Sequence, residues 1–303
     1  MIIDAHAHLG DILFPEGAAL IDQTGVRKPL IFDVISISEA LGHRGLQQIK
    51  FDSWLYRQSQ RCSMVRNRLA TLENFRRSME ENGVSYSVAL PVPPYVSFVD
   101  LLAASKKCPA VIPFTGVDFS RDYDVETALA EDVAAGAKGM KIHPIIQRER
   151  LTSPKTFAAV EAFGRHDLPI LLHTGINYYY ADASDRFREE PSFGDVSDVA
   201  ALLKAFPKVK FIAGHAGLFS VKQARTLWGG LKNVWVDGSF QSPQGIRSLI
   251  RCFGPDKVIF GSDWPWGNRG PARKIIKQAC RGDQALEKRI FSQNAIEVMN
   301  LSV

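Results

Sequence analysis

Short apolar runs recur along the chain, and segments with helical periodicity separate them at intervals of about 25 to 35 residues from Val84 onward. Intervening segments such as DVETALAEDVAAG and DVSDVAALLKAFP begin with an aspartate that can cap a helix and end near Gly or Pro. The predicted strands are IIDAHAH, VSYSVAL, AVIPFTGV, AKGMKIH, LPILLHT, VKFIAGH, NVWVDGS and KVIFGSD. Eight such units predict an α/β fold, and a (β/α)8 TIM barrel is favoured over an open sheet.

The first predicted strand is followed by a long insertion, residues 10–68, of mixed loop and helix character. Loops that follow the strands of a barrel lie on its active face, so this segment is expected to be a lid or an oligomer contact. It contains Phe51, Trp54, Leu55 and Tyr56 within a few residues. Such a cluster is expected to be buried against the barrel mouth or against a second subunit, which makes a homo-oligomer one prediction.

Composition is that of a soluble globular enzyme, with 46% hydrophobic and 23% charged residues in a chain of 303. No linker rich in Pro, Gly or Ser divides the chain, so we expect a single domain over 1–303. No apolar stretch is long enough to span a bilayer and no signal-peptide pattern is present, which predicts a cytoplasmic protein without a membrane partner. The four widely spaced cysteines are interpreted as reduced thiols.

The formal charge of +5 raises the question of nucleic acid. Several arginines lie between Arg57 and Arg77, but glutamates lie nearby and no nucleic-acid-binding motif accompanies them. We therefore interpret the arginines as a solvated helical face and expect a small-molecule partner, which could be anionic, rather than nucleic acid.

Polar residues that can bind a metal or transfer a proton stand at the ends of the predicted strands. Because the carboxyl ends of barrel strands meet at one rim, residues distant in sequence are expected to surround one point. Two of the residues, in the HAH stretch, are two positions apart and so face the same side of an extended strand. These rim residues are His6, His8, Lys141, His143, His173, His215 and Asp263.

This donor set predicts a metal site. Imidazole nitrogen and carboxylate oxygen suit Zn2+, and a catalytic zinc site keeps one position for water. An ion of this kind would lower the pKa of its bound water from 15.7 toward about 7, and a nearby histidine could then accept the proton. We expect one Zn2+ per chain, with Mn2+ as the alternative, and His215 beside the open position. The predicted ligands are His6, His8, His173 and Asp263.

The segments DAHAH, HTG, GHAG and GSDWP, in this order, resemble the amidohydrolase superfamily. The chain is more closely similar to the amidohydrolase-2 branch, which includes the aminocarboxymuconate-semialdehyde decarboxylase group. The similarity extends from Met1 to about Met299 and is poorest in the insertion. It implies that the four predicted ligands bind one metal, usually zinc, and that His215, with Asp263, acts on the attacking water.

Lys141 lies where binuclear members of the wider superfamily carry a carboxylated lysine that bridges two metals. Because the resembled branch usually holds one ion, we interpret Lys141, with His143, as binding a substrate carboxylate. A core lysine paired with an acid is the alternative. Asp4 is expected either to orient a ligand histidine or to make a strand-end hydrogen bond. His43, in the insertion, is interpreted as a surface residue.

Two reactions and one non-catalytic role are compatible with these residues. The leading hypothesis is a metal-dependent hydrolase that cleaves a lactone, ester or amide of a small substrate. The second is a nonoxidative decarboxylase of an unsaturated or aromatic acid, which the same ligand set supports in this branch. The third is a noncatalytic binding barrel, although loss of function should have erased at least one of the rim residues.

Overall fold

A computed structural model describes residues 1–13, 16–25 and 29–302, apart from the side chain of Gln47. No helix within these ranges is long and apolar enough to cross a membrane. The strands are β1 Ile3–Ala7, β2 Tyr86–Ala89, β3 Val111–Pro113, β4 Thr115–Gly116, β5 Met140–Ile142, β6 Ile170–His173, β7 Phe211–Gly214, β8 Val234–Asp237 and β9 Val258–Ile259.

Helices connect the strands. They are α1 Val34–Ala40, α2 Trp54–Asn67, α3 Leu72–Glu81, α4 Phe98–Lys107, α5 Val125–Ala134, α6 Pro144–Gln147, α7 Pro154–Gly164, α8 Val196–Ala205, α9 Val221–Trp228, α10 Pro243–Phe253, α11 Arg269–Cys280, α12 Gln284–Lys288 and α13 Asn294–Met299. Short 3-10 segments are Gly17–Leu20, Leu46–Gln48, Ala183–Arg188, Pro191–Gly194, His215–Ser220 and Pro255–Lys257, and a π-helical turn is Arg289–Gln293.

All neighbouring strands are parallel, in the orders β1-β2-β3 and β4-β5-β6-β7-β8-β9. The predicted third strand is divided into β3 and β4 because its hydrogen-bond partner changes at this point. Phe114 N donates to the carbonyl of Ala89 in β2, whereas Thr115 N donates to the carbonyl of Gly139, next to β5. The two ends of the series also meet, since Ala5 N donates to Phe260 O at 2.9 Å and Asp263 N donates to His6 O at 2.7 Å. The strands therefore form the predicted TIM barrel.

Successive side chains of each strand point to opposite faces, and both faces are buried. In β6, Ile170 and Leu172 belong to the cluster that packs with the surrounding helices, whereas Leu171 belongs to a second cluster. That second cluster also contains Val298 and Met299 of α13. Both faces of each strand are thus buried, and a parallel strand covered on both faces needs apolar residues at nearly every position.

Capping residues begin the helices where the sequence predicts them. The side chain of Asp124 accepts from Thr127 N at the start of α5, and Ser153 accepts from Thr156 N at the start of α7. Asp195 caps α8 in the same way. Each cap satisfies a backbone N–H that has no partner inside its own helix.

Asp4 is buried at the seam where the barrel closes. Its carboxylate accepts from Ser262 N at 2.8 Å, from Ser262 Oγ at 2.6 Å and from Arg269 Nε at 2.9 Å. No ligand-type histidine side chain is among these partners. Of the two roles expected for Asp4, the structure therefore shows the hydrogen bond at the strand end, extended by a buried ion pair.

The insertion is held to the barrel by a buried arginine. Arg66, at 1% exposure, donates to Asp33 Oδ2 at 2.7 Å and to Glu39 Oε2 at 3.4 Å, and also donates to the carbonyl of Trp266. The expectation of a solvated arginine face is wrong for this residue, although Arg57 is exposed. Arg66 is buried because two carboxylates of the insertion and a backbone carbonyl beyond β9 converge on its guanidinium.

Candidate metal centre

The predicted rim residues lie together at the carboxyl ends of the strands, and each is 7% exposed or less. His6 Nε2 is 3.2 Å from Asp263 Oδ1, and His8 Nε2 is 3.6 Å from the same oxygen. His215 Nε2 is 4.0 Å from Asp263 Oδ2. Two imidazoles from the start of the chain and one from the segment after β7 therefore surround one buried carboxylate.

Hydrogen bonds on the far sides of the rings orient these imidazoles. His6 Nδ1 lies 2.8 Å from Asp237 Oδ2, and His8 Nδ1 lies 3.1 Å from the carbonyl oxygen of Leu90. Both partners can only accept, so each Nδ1 carries the proton and each Nε2 is left with a lone pair. A second contact of this kind is what fixes the tautomer of a metal-binding histidine.

His215 is oriented through a serine and an aspartate. The hydroxyl of Ser239 donates to Asp237, and His215 Nδ1 lies 2.7 Å from Ser239 Oγ. Because the single hydroxyl proton of Ser239 is used, the Nδ1 of His215 is the donor in this contact and its Nε2 also carries a lone pair. Asp237 accepts in addition from the backbone N of His215 at 3.2 Å.

Asp237 and Ser239 were not among the residues singled out from the sequence. Asp237 ends β8 and therefore occupies the same strand-end position as the other rim residues. The NVWVDGS stretch carries the same signal as the other strands, a polar residue at the carboxyl end of an apolar run.

His173 and His143 form a second pair beside this group. Their rings are stacked with centroids 4.2 Å apart, and His173 lies 5.0 Å from His215 by the same measure. Tyr179 OH is 3.0 Å from His143 Nε2 and 3.3 Å from His173 Nδ1, while His173 Nε2 is 3.1 Å from the Gly175 carbonyl. Both ring nitrogens of His173 thus have a polar partner in the protein.

Lys141 is 1% exposed, and its Nζ makes no hydrogen bond to any described residue. Burial lowers its pKa to about 8, although Asp263 and Asp237 act in the opposite direction. The alternative of a hydrogen-bonded core ion pair is therefore not what the structure shows. A buried ammonium without such a partner is destabilising, and an anion bound next to it would offset this cost.

Burial also controls the charges of the histidines and of Asp263. It lowers the pKa of His6, His8 and His215 well below the usual value, with Lys141 contributing at each of them, and it raises the pKa of Asp263 well above its usual value. Burial and Lys141 also lower the pKa of His173 to about 3. Neutral imidazole is the form that binds metals.

These residues fit a divalent cation. His6 Nε2 is buried and makes no hydrogen bond to a described residue, although it lies beside Asp263. Lone pairs on three nitrogens facing one carboxylate repel each other unless a proton or a cation lies between them. His6, His215 and Asp263 each offer a ligand atom, and these atoms lie within 4.8 Å of one another. Nitrogen and oxygen donors at this spacing suit zinc and related ions.

Two residues of the site have an unusual backbone conformation. His215 has φ of 61° and Asp263 has φ of 58°, in the left-handed region that side chains other than glycine rarely adopt. Such positions typically cost about 1–3 kcal/mol and are concentrated at functional sites. The chain therefore maintains strained backbone at two residues of the candidate site.

A cavity of about 310 Å³ opens above the site. His173, His215 and Asp263 line its inner end, and the insertion contributes most of its walls, including residues of α1 and α2. His43 also lines this cavity at 7% exposure, with Nδ1 3.1 Å from Ser38 Oγ. Its interpretation as a surface residue is wrong, because the insertion folds inward over the barrel mouth.

The sequence model of the amidohydrolase-2 family, described as Amidohydrolase, matches residues 3–301. The chain belongs to this family. Amidohydrolases of this branch are enzymes, and the match covers all of the rim residues described above. None of the curated proteins matches this chain in sequence.

Several solved structures are similar to this chain. An uncharacterised TIM-barrel protein from Bordetella bronchiseptica has 14% identity and a TM-score of 0.65, covering 99% of this chain and 98% of that one. A 5-carboxyvanillate decarboxylase from Sphingomonas paucimobilis has 14% identity and a TM-score of 0.63, with 99% of each chain covered. A probable 2-pyrone-4,6-dicarboxylic acid hydrolase from Acinetobacter baumannii has 15% identity and a TM-score of 0.61, again with 99% of each covered. At these identities the similarity shows the fold.

Proposed function

We propose that this protein is a metal-dependent hydrolase that cleaves a lactone, ester or amide of a small substrate. The observation that carries the proposal is the convergence of three Nε2 lone pairs on the Asp263 carboxylate at the inner end of a cavity. One divalent ion, zinc or alternatively manganese, would be held by His6, His8, His173 and Asp263. Such an ion polarises a carbonyl and makes water a better nucleophile at neutral pH.

His215 is the proposed proton acceptor. Its Nε2 is directed at the site because Ser239 holds its Nδ1, and Asp237 in turn accepts the hydroxyl proton of Ser239. The negative charge of Asp237 stabilises the imidazolium that forms when Nε2 takes a proton from the attacking water. The same proton is then available to the leaving oxygen or nitrogen.

A competing assignment places His215 among the ligands. His6, His215 and Asp263 are the residues whose ligand atoms lie within 4.8 Å of one another, whereas His173 is hydrogen-bonded to Gly175 and lies beside Tyr179. The two assignments differ in which histidine can be removed without loss of the metal. Metal content of the His215→Asn and His173→Asn variants distinguishes them.

Lys141 is proposed to bind a carboxylate of the substrate, with His143 supporting the site. The Nζ of Lys141 is buried without a hydrogen-bond partner among the described residues. His143 Nε2 shares the hydroxyl of Tyr179 with His173, so His143 helps to keep the His173 ring in place. The insertion is proposed to act as a lid that limits the access of water to the reacting groups.

Decarboxylation of an unsaturated or aromatic acid is the second candidate. It is favoured by the unpaired ammonium of Lys141 near Asp263 and the histidines, because a carboxylate could be the reacting group itself rather than a binding handle. A noncatalytic role is disfavoured, because a binding barrel has no need to keep the Asp237–Ser239–His215 arrangement.

A substrate screen combined with metal analysis tests the proposal. Protein purified without chelator should contain close to one equivalent of zinc, or otherwise manganese, by elemental analysis. Lactones, esters, amides and carboxylated aromatics are then incubated with it, while released acid and released carbon dioxide are measured separately. The matched control is Asp263→Asn, which removes the central carboxylate oxygen but keeps a residue tolerant of positive φ.

Acid release that disappears in Asp263→Asn supports the hydrolase. If carbon dioxide is released instead, and its release also disappears in Asp263→Asn, the decarboxylase is supported and the hydrolase is contradicted. Two metal equivalents with a carboxylated Lys141 would contradict the mononuclear assignment, and a protein that binds no metal and turns over none of the compounds would contradict the proposed function as a whole.

A further inference from the structure

The cavity above the site has two chemically different ends. Its inner end is formed by His173, His215 and Asp263. Farther out, its walls are mostly aliphatic and aromatic side chains contributed by the insertion and by the segments that follow β7 and β8. Those walls include Val34, Ile35, Ile49, Leu55, Phe219 and Phe240.

Most polar side chains in these walls are hydrogen-bonded within the protein. Tyr56 OH donates to Asn177 Oδ1 at 2.7 Å, and Gln60 Nε2 donates to the carbonyl oxygens of Tyr178 and Tyr180 at 3.3 Å each. Ser59 Oγ donates to the Tyr56 carbonyl at 2.6 Å. These groups therefore need no partner from a ligand, and the wall offers mainly apolar surface to one.

Positive charge is scarce along the same walls. Among the described residues that line the cavity, Arg44 is the one lysine or arginine, and its side chain is exposed to solvent. The buried ammonium of Lys141, on β5, does not itself line the cavity, but it interacts electrostatically with Asp263, which lines the inner end. An anionic group at the inner end is thus favoured, whereas a second anionic group against the walls away from Arg44 would be desolvated without a partner.

We infer that the substrate has one polar end, which reacts at the metal centre, and an uncharged apolar body, alkyl or aryl, that fills the space beneath the insertion. This inference rests on the proposed function in taking the inner end as the reacting end. It separates this chain from an enzyme for dicarboxylates, the class named for the similar pyrone hydrolase.

Binding of simple carboxylates tests the inference without requiring turnover. Butanoate, hexanoate and octanoate are titrated into the protein as purified, by calorimetry, together with suberate, the dicarboxylate of the same length as octanoate. Burial of each methylene is expected to lower Kd about fourfold until the cavity is filled. Suberate is expected to bind at least about tenfold more weakly than octanoate, because its second carboxylate has no buried cation to pair with.

A variant that adds a positive charge to the cavity wall gives the matched test. Leu55 lines the cavity at 43% exposure, so Leu55→Arg places a cation in the wall with little risk to folding. It should narrow the octanoate-to-suberate ratio by about tenfold. Val99, at 69% exposure on α4 and outside the cavity lining, supplies the control Val99→Arg, which should leave both affinities unchanged. Both variants are first shown to sediment as the original protein does.

Kd values that do not change with chain length, or suberate binding as tight as octanoate binding, would overturn the inference. An equal response of the two arginine variants would also overturn it, because the effect would then come from net charge. Failure of the proposed hydrolase activity is distinguishable. In that case, the substrate screen yields no released acid, while the carboxylate series still shows the dependence on chain length.

Discussion

At the scale of single residues, the hydrogen bond at the Nδ1 of His6, His8 and His215 determines which ring nitrogen carries the proton. Asp237 accepts from the Nδ1 of His6, and also from the backbone N of His215 and the hydroxyl of Ser239, which contacts the His215 ring. One carboxylate therefore directs the Nε2 lone pairs of His6 and His215 to the same point. Removing a group that binds the ion and removing a group that moves a proton should therefore have different consequences. Two variants make this difference measurable.

His215→Asn is expected to keep the metal and the fold but to lose turnover by about 10² to 10⁴, the usual contribution of a general acid–base group. Asparagine tolerates the positive φ at this position better than most residues. His173→Asn should instead weaken metal retention, and added zinc should partly restore its activity. Metal content and turnover are measured on the same preparations.

Loss of the ion from His215→Asn as readily as from His173→Asn would show that His215 is a ligand. Full activity of His215→Asn would show that Asp263 or the ion alone activates the water. Either result contradicts the division of roles, and metal content distinguishes the two.

Lys141 should make binding of an anionic substrate depend on pH. Its folded-state pKa is about 8, compared with an ordinary 10.5, because it is buried. Below about pH 8 the protonated amine binds the carboxylate, and above it the charge is lost, so KM should increase. Lys141→Met should increase KM at pH 7 on the order of 10- to 100-fold and remove this pH dependence.

A neutral ester of the same size is the control, and its KM should not follow the pKa of Lys141. Stability gives a second readout. Between about pH 8 and 10.5 the unfolded chain binds a proton that the folded chain has released, so this residue makes the free energy of unfolding increase with pH. A KM that is constant with pH for the anionic substrate would contradict the role of Lys141.

At the scale of elements, three of the four predicted ligands come from two segments: His6 and His8 from β1 and the residue after it, and Asp263 from the segment after β9. Buried arginines contact both regions. Arg269 pairs with Asp4 at the barrel seam, while Arg66 joins α1 and α2 to the carbonyl of Trp266. The Arg66 guanidinium is thus one of the buried contacts that hold the insertion above the cavity.

Arg66→Met should reduce the free energy of unfolding by about 3–5 kcal/mol, because Asp33 and Glu39 would stay buried without their counter-charge. The matched control is Arg77→Met, which breaks a half-exposed pair with Glu73 and should cost about 0.3–0.5 kcal/mol. Urea unfolding measures both. Equal losses in the two variants would show that the buried network does not anchor the insertion.

At the scale of the whole molecule, the insertion covers the site and also exposes apolar side chains that do not line the cavity. Phe51 packs against Tyr56 and Phe219, which accounts for part of the predicted aromatic cluster. Trp54 is 59% exposed. The exposed apolar residues of the insertion that do not line the cavity are Leu30, Ile31, Phe51 and Trp54.

We expect this surface to mediate a homo-oligomer, since exposed apolar patches of this kind commonly mark protein contacts. Trp54→Glu should then shift the protein toward the monomer in sedimentation velocity, whereas Val99→Glu, on α4, should not. A monomeric profile of the original protein over a wide concentration range would remove the oligomer and leave the lid.

The sequence by itself determined the eight-unit barrel and the rim residues. Parallel strands buried on both faces require continuous apolar runs, and the barrel brings the polar residues that end those runs to one rim whatever their separation along the chain. His6 and Asp263 could therefore be placed together although more than 250 residues separate them.

Only the tertiary structure decided the contacts made by segments outside the repeating strand and helix units. The burial of Arg66, the position of His43 in the cavity wall and the partners of His173 depend on how the insertion and the loop after β6 pack over the barrel. These segments have no period that relates sequence position to a face. Their long-range side-chain contacts follow from packing, which no local pattern of apolar and polar residues specifies.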